Sequence, residues 1–358
     1  MIEQAEALGE PPEDPLLAFS ILYSFWVANS VFDVAFARNL AGEFLTRAEN
    51  QGMAGPLMIG HRLMAHSLLH TGKIAEAKLH YDKALALYDP LKHRTLALRF
   101  GQDAGVSIFS NRSLALWLLG YPEAALMDVQ NALDNAREIG HAATLMYALM
   151  YASFSHCCCA NYTTANALAD ELVTLADQKD SQNWKGLGVA VQGSIFAQTS
   201  KRSEALDLIT RGMTGWRAAG ATLYGGWFLS NLAIAYAGLD KFDQASRCIG
   251  EAMTTVETTM ETWCEAEISR ITGEIALKSS QPNTAKAQKY FERALTVARQ
   301  QQAKSWELRA AMSMARLWRD QGKRDEAREL LAPVYGWFTE GFDTLDLKEA
   351  KALLHELA

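Results

Sequence analysis

The chain of 358 residues is predicted to be an all-α solenoid: about eight helical hairpins wound into a right-handed superhelix, with a helix capping the C-terminal end. Three observations predict it. Alanines recur in a turn-plus-helix pattern at Ala37, Ala77, Ala125, Ala165, Ala205, Ala245, Ala287 and Ala327, in steps of 40, 48, 40, 40, 40, 42 and 40. Twelve residues before six of these alanines stands a small residue (Ala65, Ser113, Ser153, Gly193, Ala233 and Ala315), with Gly273 at the equivalent place in a seventh. Close crossing of two helices needs such a residue. Four residues after each alanine the chain is always apolar. A fixed period of this size marks stacked repeats. It makes residues 1–358 one repeat unit, in place of the two domains that length alone would give.

The first hairpin is predicted at about 14–30 and 32–50, ending at Gln51-Gly52. The second covers about 57–89. Its second helix places Ala77, Tyr81, Ala84, Leu85 and Tyr88 on one face, and Pro90 stops it. Residues 90–104 hold the one irregularity, about eight extra residues, read as a longer connection with room for one helical turn. The third hairpin runs from Gly105 to Ile139, with Pro122 in a first turn where proline is tolerated. Five more follow at about 141–179, 181–219, 221–259, 261–302 and 304–340. Residues 345–358 read as the cap, with Leu347, Ala350, Leu353, Leu354 and Leu357 on one face and charges on the other.

Composition narrows the function. A net charge of -7, with basic and acidic residues interspersed, leaves no electrostatic footprint for nucleic acid. The uncharged stretches 16–32 and 139–169 are interrupted by polar residues, or by the turn Ala160-Asn161-Tyr162-Thr163-Thr164, so they read as buried helices and not membrane spans. Five cysteines without paired spacing, and an acidic start, fit a reduced cytoplasmic protein.

The Gly72…Ala77…Tyr81…Ala84 and Tyr236…Ala245…Ala252 stretches resemble tetratricopeptide repeats, with longer helices than the 34-residue form. The stretches 100–106, 114–122, 302–311 and 335–344 add a narrower resemblance. It is to the C-terminal repeats of bacterial multidomain proteins in which a class III adenylate or guanylate cyclase domain and a predicted signal-transduction ATPase precede the repeats. No phosphate loop is present, since Gly72-Lys73 lacks both the preceding glycine and the following Ser/Thr. The resemblance therefore implies a regulatory module, not an enzyme, and no cofactor or metal.

Candidate residues come from the first helices, which line the concave face of such stacks. Spacing places Arg62, His66 and His70 there from the second hairpin, Trp117, Met150, Tyr151 and Phe154 from the middle, and Trp227, Ser230 and Asn231 from a later one. The last hairpin adds Arg309, Met312, Arg316 and Arg319. Arg112, beside the crossing residue Ser113, needs a partner if buried, and Asp103 on the adjacent loop is the predicted one. Glu265, Glu267, Glu274 and Arg270 are read as surface ion pairs. Cys157, Cys158 and Cys159 are read as buried apolar residues.

The expected function is a non-enzymatic interaction or sensing module. It would take a peptide or protein in its groove and regulate an attached or partner signalling ATPase or nucleotide cyclase. The alternatives are a small-molecule-sensing receptor domain of a bacterial regulator and, less favoured, an enzyme using the groove.

Overall fold

A computed structural model describes residues 14–218 and 220–358. The described residues form helices and no strands, arranged as eight antiparallel hairpins. These are α1 (Leu17–Ser30) with α2 (Val34–Gln51) and α3 (Ala54–His70) with α4 (Ile74–Leu87). After an insertion come α7 (Ala104–Leu118) with α8 (Pro122–Ile139) and α9 (Ala142–Cys158) with α10 (Tyr162–Gln178). Then follow α11 (Gln182–Ala197) with α12 (Arg202–Ala218) and α13 (Gly225–Ala237) with α14 (Phe242–Thr259). The last two are α15 (Glu265–Lys278) with α16 (Thr284–Gln300) and α17 (Lys304–Asp320) with α18 (Arg324–Tyr335). A final helix, α19 (Leu345–Glu356), buries Leu347, Ala350 and Leu353 against the last hairpin. No helix among the described residues is long and apolar enough to cross a membrane.

The repeat positions have a direct physical cause. All eight turn alanines are 0% exposed, as are Ala65, Ser113, Ser153, Ala233 and Ala315 at the crossings. At the α11–α12 crossing a side chain on Gly193 would meet the Ile209 amide nitrogen at 2.6 Å, so only glycine fits. Asp33, Asp103 and Asn283 cap α2, α7 and α16 by accepting from Phe36, Val106 and Lys286 backbone N–H groups.

The insertion is more ordered than a long connection. It forms α5 (Pro90–His93), a 3₁₀ turn (Arg94–Leu96) and α6 (Ala97–Phe100). Pro90 opens α5 as well as following α4, and Asp89 caps it through Leu91 N–H. Phe100 is fully buried, and its carbonyl accepts from Tyr23 Oη, so the insertion is tied to α1.

The superhelix winds tightly enough for successive turns to touch, four or five hairpins apart. Val31, after α1, accepts from Thr222 and Leu223 N–H before α13. His70, ending α3, accepts from Thr262 and Trp263 N–H before α15. Trp117 in α7 accepts from Ser305 Oγ in α17. Cys158, ending α9, accepts from Arg309 Nη2, whose Nε is bound to Asp346 in α19. Two glycines sit where these turns close. Gly72 and Gly120 have φ of 74° and 88°, and a side chain there would strike Gln301 and Thr262, or Trp337.

Candidate functional site

Tight winding removes most of the groove. Trp117, Tyr151, Phe154 and Trp227 are 2%, 3%, 1% and 5% exposed. Phe154 packs tilted against Trp227 with ring centroids 4.3 Å apart, and also packs against Tyr224 and Trp263. Tyr151 Oη lies 2.6 Å from Tyr224 Oη, which lies 3.4 Å from His70 Nε2. Trp117 is in the seam between turns, edge-on to Trp306, with the Arg309 guanidinium over both rings. This cluster parts the interior into two cavities of about 190 Å³ each.

The N-terminal chamber is the more apolar of the two. Its walls are aromatic: Tyr23 and Trp26 from α1, Tyr147 and Tyr151 from α9, Trp184 from α11, Trp216 from α12, and Tyr224. Arg62, His66, Asn111, Gln102 and Ser30 supply the polar groups. Arg62 is 4% exposed and donates from Nη1 to Ser107 Oγ at 2.8 Å. Its guanidinium stands 5.5 Å from the Tyr23 ring. Burial, with Arg62 and His70 nearby, holds the His66 pKa well below the usual imidazole range, so this ring stays neutral. Burial likewise lowers His70 to about 4.

The C-terminal basin is polar, and its charges are matched within the chain. Arg270 grips Glu267 through Nε and Nη2 at 2.8 and 2.7 Å. Arg309 reaches Asp346 at 2.8 Å, and Arg316 reaches Glu349 at 2.7 Å. Ser230 Oγ donates to the Trp227 carbonyl, and Asn231 Oδ1 accepts from Gln198. Glu267 is 6% exposed, so its pair with Arg270 is a buried bidentate one and not the surface pair that charge spacing predicted. The reason is the seam: the Arg309 guanidinium, 3.7 Å away, draws Glu267 inward.

Of the predicted groove residues, Arg62, His66 and Tyr151 line the chamber, while Trp227, Ser230 and Asn231 line the basin. Phe154 belongs to the partition and Trp117 to the seam. The predicted Arg112–Asp103 pair does not form. Arg112 binds Asp128 through Nε and Nη2 at 2.7 and 2.9 Å, and Asp82 through Nη1 at 2.9 Å. Asp103 is occupied as the α7 cap and as acceptor of Tyr88 Oη. The physical reason is direction: Arg112, two turns along α7, points across to α8 and α4, away from its own helix start.

Sequence reasoning missed Tyr23, Trp26, Trp184, Trp216 and Tyr224. Tyr224 sits in a linker at φ 65°, a strained value for a tyrosine, held by its N–H on Glu261. The signal for it was there, in an aromatic residue at hairpin starts: Trp184, Tyr224, Trp263 and Trp306. The five cysteines are unpaired and buried, and burial raises Cys157 and Cys159 to about 12, so they are unreactive thiols.

The geometry agrees with comparisons to known proteins. The tetratricopeptide repeat model matches residues 226–251 and 308–333, which lie in the sixth and eighth hairpins. A comparison with curated proteins finds no match. Among solved structures, a Rap protein complexed with competence and sporulation factor aligns at TM-score 0.58 and 10% identity, covering 94% of this chain and 96% of that one. The apo quorum sensor NprR from B. thuringiensis aligns at 0.54 and 12%, covering 92% and 90%. Aspartyl phosphate phosphatase F from Bacillus subtilis aligns at 0.53 and 14%, covering 93% and 86%. At these identities the likeness is one of fold: the chain is an all-α, tetratricopeptide-like superhelical solenoid with tetratricopeptide repeats in at least two of its hairpins.

Proposed function

We propose that the chain is a non-enzymatic sensing and interaction module. It takes a ligand inside its superhelix and passes the occupancy to an attached or partner signalling ATPase or nucleotide cyclase in the cytoplasm. One observation carries this reading. The N-terminal chamber is built across two superhelical turns, with Tyr23, Trp26 and Val31 from the first hairpin facing Leu223 and Tyr224 at the sixth. A ligand held between the turns bears on both. It shifts the pitch only to the extent that it binds one pitch better than another. The fold supports the reading, since a Rap protein of similar fold was solved in complex with competence and sporulation factor and NprR is named a quorum sensor. The partner's identity rests on the resemblance of the repeats alone.

Peptide capture and small-molecule sensing both fit such a module. The chamber favours the second. At about 190 Å³ it holds a ring with a short substituent, since a cavity of ~150 Å³ takes one benzene. An extended peptide along the axis would have to displace the Phe154–Trp227 partition.

The test is ligand screening of the full chain by thermal shift, then amide hydrogen exchange. A chamber ligand should raise the melting temperature and slow exchange at Thr222 and Leu223, whose N–H groups bind the Val31 carbonyl. The reading is sunk by ligands that leave exchange at this seam unchanged, or by ATP hydrolysis or cyclic-nucleotide formation that tracks with the chain and is lost on mutating the chamber.

A further inference from the structure

Arg62 breaks a rule that the rest of the molecule keeps. A buried charge needs a partner, and the other arginines facing the interior have one. Arg112 and Arg270 each present the Nε/Nη2 edge of the guanidinium to a carboxylate, Asp128 and Glu267 respectively. Arg62 is buried more deeply than either, yet its Nε and Nη2 have no hydrogen-bond partner. Only Nη1 is bound, to the neutral Ser107. Among the described residues no carboxylate pairs with it. The empty edge is the one that elsewhere in this chain receives a carboxylate through two parallel hydrogen bonds.

Two further groups in the same chamber are unmet: His66 Nδ1 and Asn111 Oδ1. Asn111 Nδ2 donates to the Ser107 carbonyl at 2.7 Å, which fixes the amide's orientation and leaves Oδ1 as an acceptor without a donor. The remaining lining is aromatic and aliphatic, with Ser30 and Gln102 its only other non-aromatic polar residues. Arg62, His66 and Asn111, each with an unmet polar atom, border one largely aromatic cavity and together describe a ligand by complementarity.

We propose that the N-terminal chamber is a receptor site for a small aryl carboxylate, with the carboxylate on the Nε/Nη2 edge of Arg62 and the ring between the aromatic walls. The inference rests on the sensing reading above and names its ligand class. One guanidinium with a neutral His66 beside it matches a single negative charge, so the chamber selects a monoanion over a phosphate dianion. A hydroxyl or amino group on the acid meets Asn111 Oδ1. Among the described residues Arg62 has no carboxylate, and in this proposal the ligand supplies it.

The test is titration calorimetry of the full chain with phenylacetate, indole-3-acetate, the uncharged isostere phenylacetamide, and inorganic phosphate. The acids should bind at least tenfold tighter than the amide, and phosphate should not displace them. Arg62→Met should abolish the preference for acid over amide while keeping or raising the melting temperature, because it removes an unpaired buried charge. Arg62→Lys keeps the charge without the fork and should cut acid affinity at least fivefold, which gives a second reading if the methionine variant does not fold. Equal wild-type affinity for acid and amide overturns the carboxylate assignment and leaves the chamber as a ligand site. Acid binding unchanged in Arg62→Met overturns it too. Failure of every aromatic probe to bind overturns this inference, while the chamber reading beneath it stands or falls separately on the exchange at Thr222 and Leu223.

Discussion

Glu261 carries a pH dependence of its own. It is 2% exposed, accepts from Tyr224 N–H and Trp263 Nε1, and burial pushes its carboxyl up to about 7 from 4.5. The folded state therefore holds this proton more tightly than the unfolded chain does. The resulting stability is present in full below about pH 4.5 and is lost as pH rises through 7. The shift corresponds to about 3 kcal/mol as an upper size. Buried His70 works in the opposite sense. With its pKa lowered to about 4, the stability it contributes is present above the ordinary 6.5 and is lost as pH falls toward 4. The two trends overlap, so difference curves decide. Urea midpoints of Glu261→Gln should lack the fall between pH 5 and 8 that the wild type shows relative to it. At Trp227 the ring fills the partition, so Trp227→Ala should cost about 3–5 kcal/mol by cavity formation, measured by denaturant unfolding. Individual side-chain partners were the least legible part of the sequence. Spacing put Arg112 near Asp103, but the direction in which a helical side chain leaves its backbone selected Asp128 and Asp82. The inward-facing placement of Arg62 and His66 on a first helix was legible, though not their burial. Their lack of partners was not, because it depends on what other hairpins bring near.

Two glycines in second-helix and first-helix positions make opposite predictions from the same substitution. Gly193 crosses Ile209 at a distance no side chain tolerates, so Gly193→Ala should destabilise by about 1–3 kcal/mol. Gly250, in α14, has open space around the position of a side chain, so Gly250→Ala should stabilise by about 0.5–1 kcal/mol through helix propensity. Thermal melts of the two variants on either side of the wild type check the pair. Elements were legible because each hairpin is a local object: one small crossing residue, one buried alanine and one apolar stripe suffice to specify it. The insertion was not, since α5, the 3₁₀ turn and α6 are each too short to hold a period. Their order comes from Phe100 and from Tyr23, 77 residues earlier in sequence.

Across the whole molecule the decisive quantity is pitch, a small rotation per hairpin summed over five. No single repeat encodes it, so the sequence alone left open whether the aromatic first helices line a groove or fill it. The seam contacts settle the matter for Trp117 and Phe154, which pack inside. Gly120 marks one place where the turns come close. Its left-handed backbone, and the 2.6 Å at which an added side-chain carbon would meet Trp337, mean that Gly120→Ala should cost at least about 1–2 kcal/mol. The same change should expand the particle, and small-angle scattering should report a larger radius of gyration. An unchanged radius together with an unchanged melting temperature would remove Gly120 from the seam.

The seam also has a consequence for how the protein is made. The Thr222 hydroxyl and the Val31 carbonyl that meet across it are 191 residues apart. A ribosome adding about 5–20 residues per second takes roughly 10–40 s to cover that gap. Through that interval the first hairpin has its own turn but not its second-turn partner, and Tyr23 and Trp26 lack the chamber wall that Leu223 and Tyr224 later supply. A nascent chain of this design stands exposed to holdase chaperones until the sixth hairpin emerges, and slowing translation downstream of the first hairpin should lengthen that dependence.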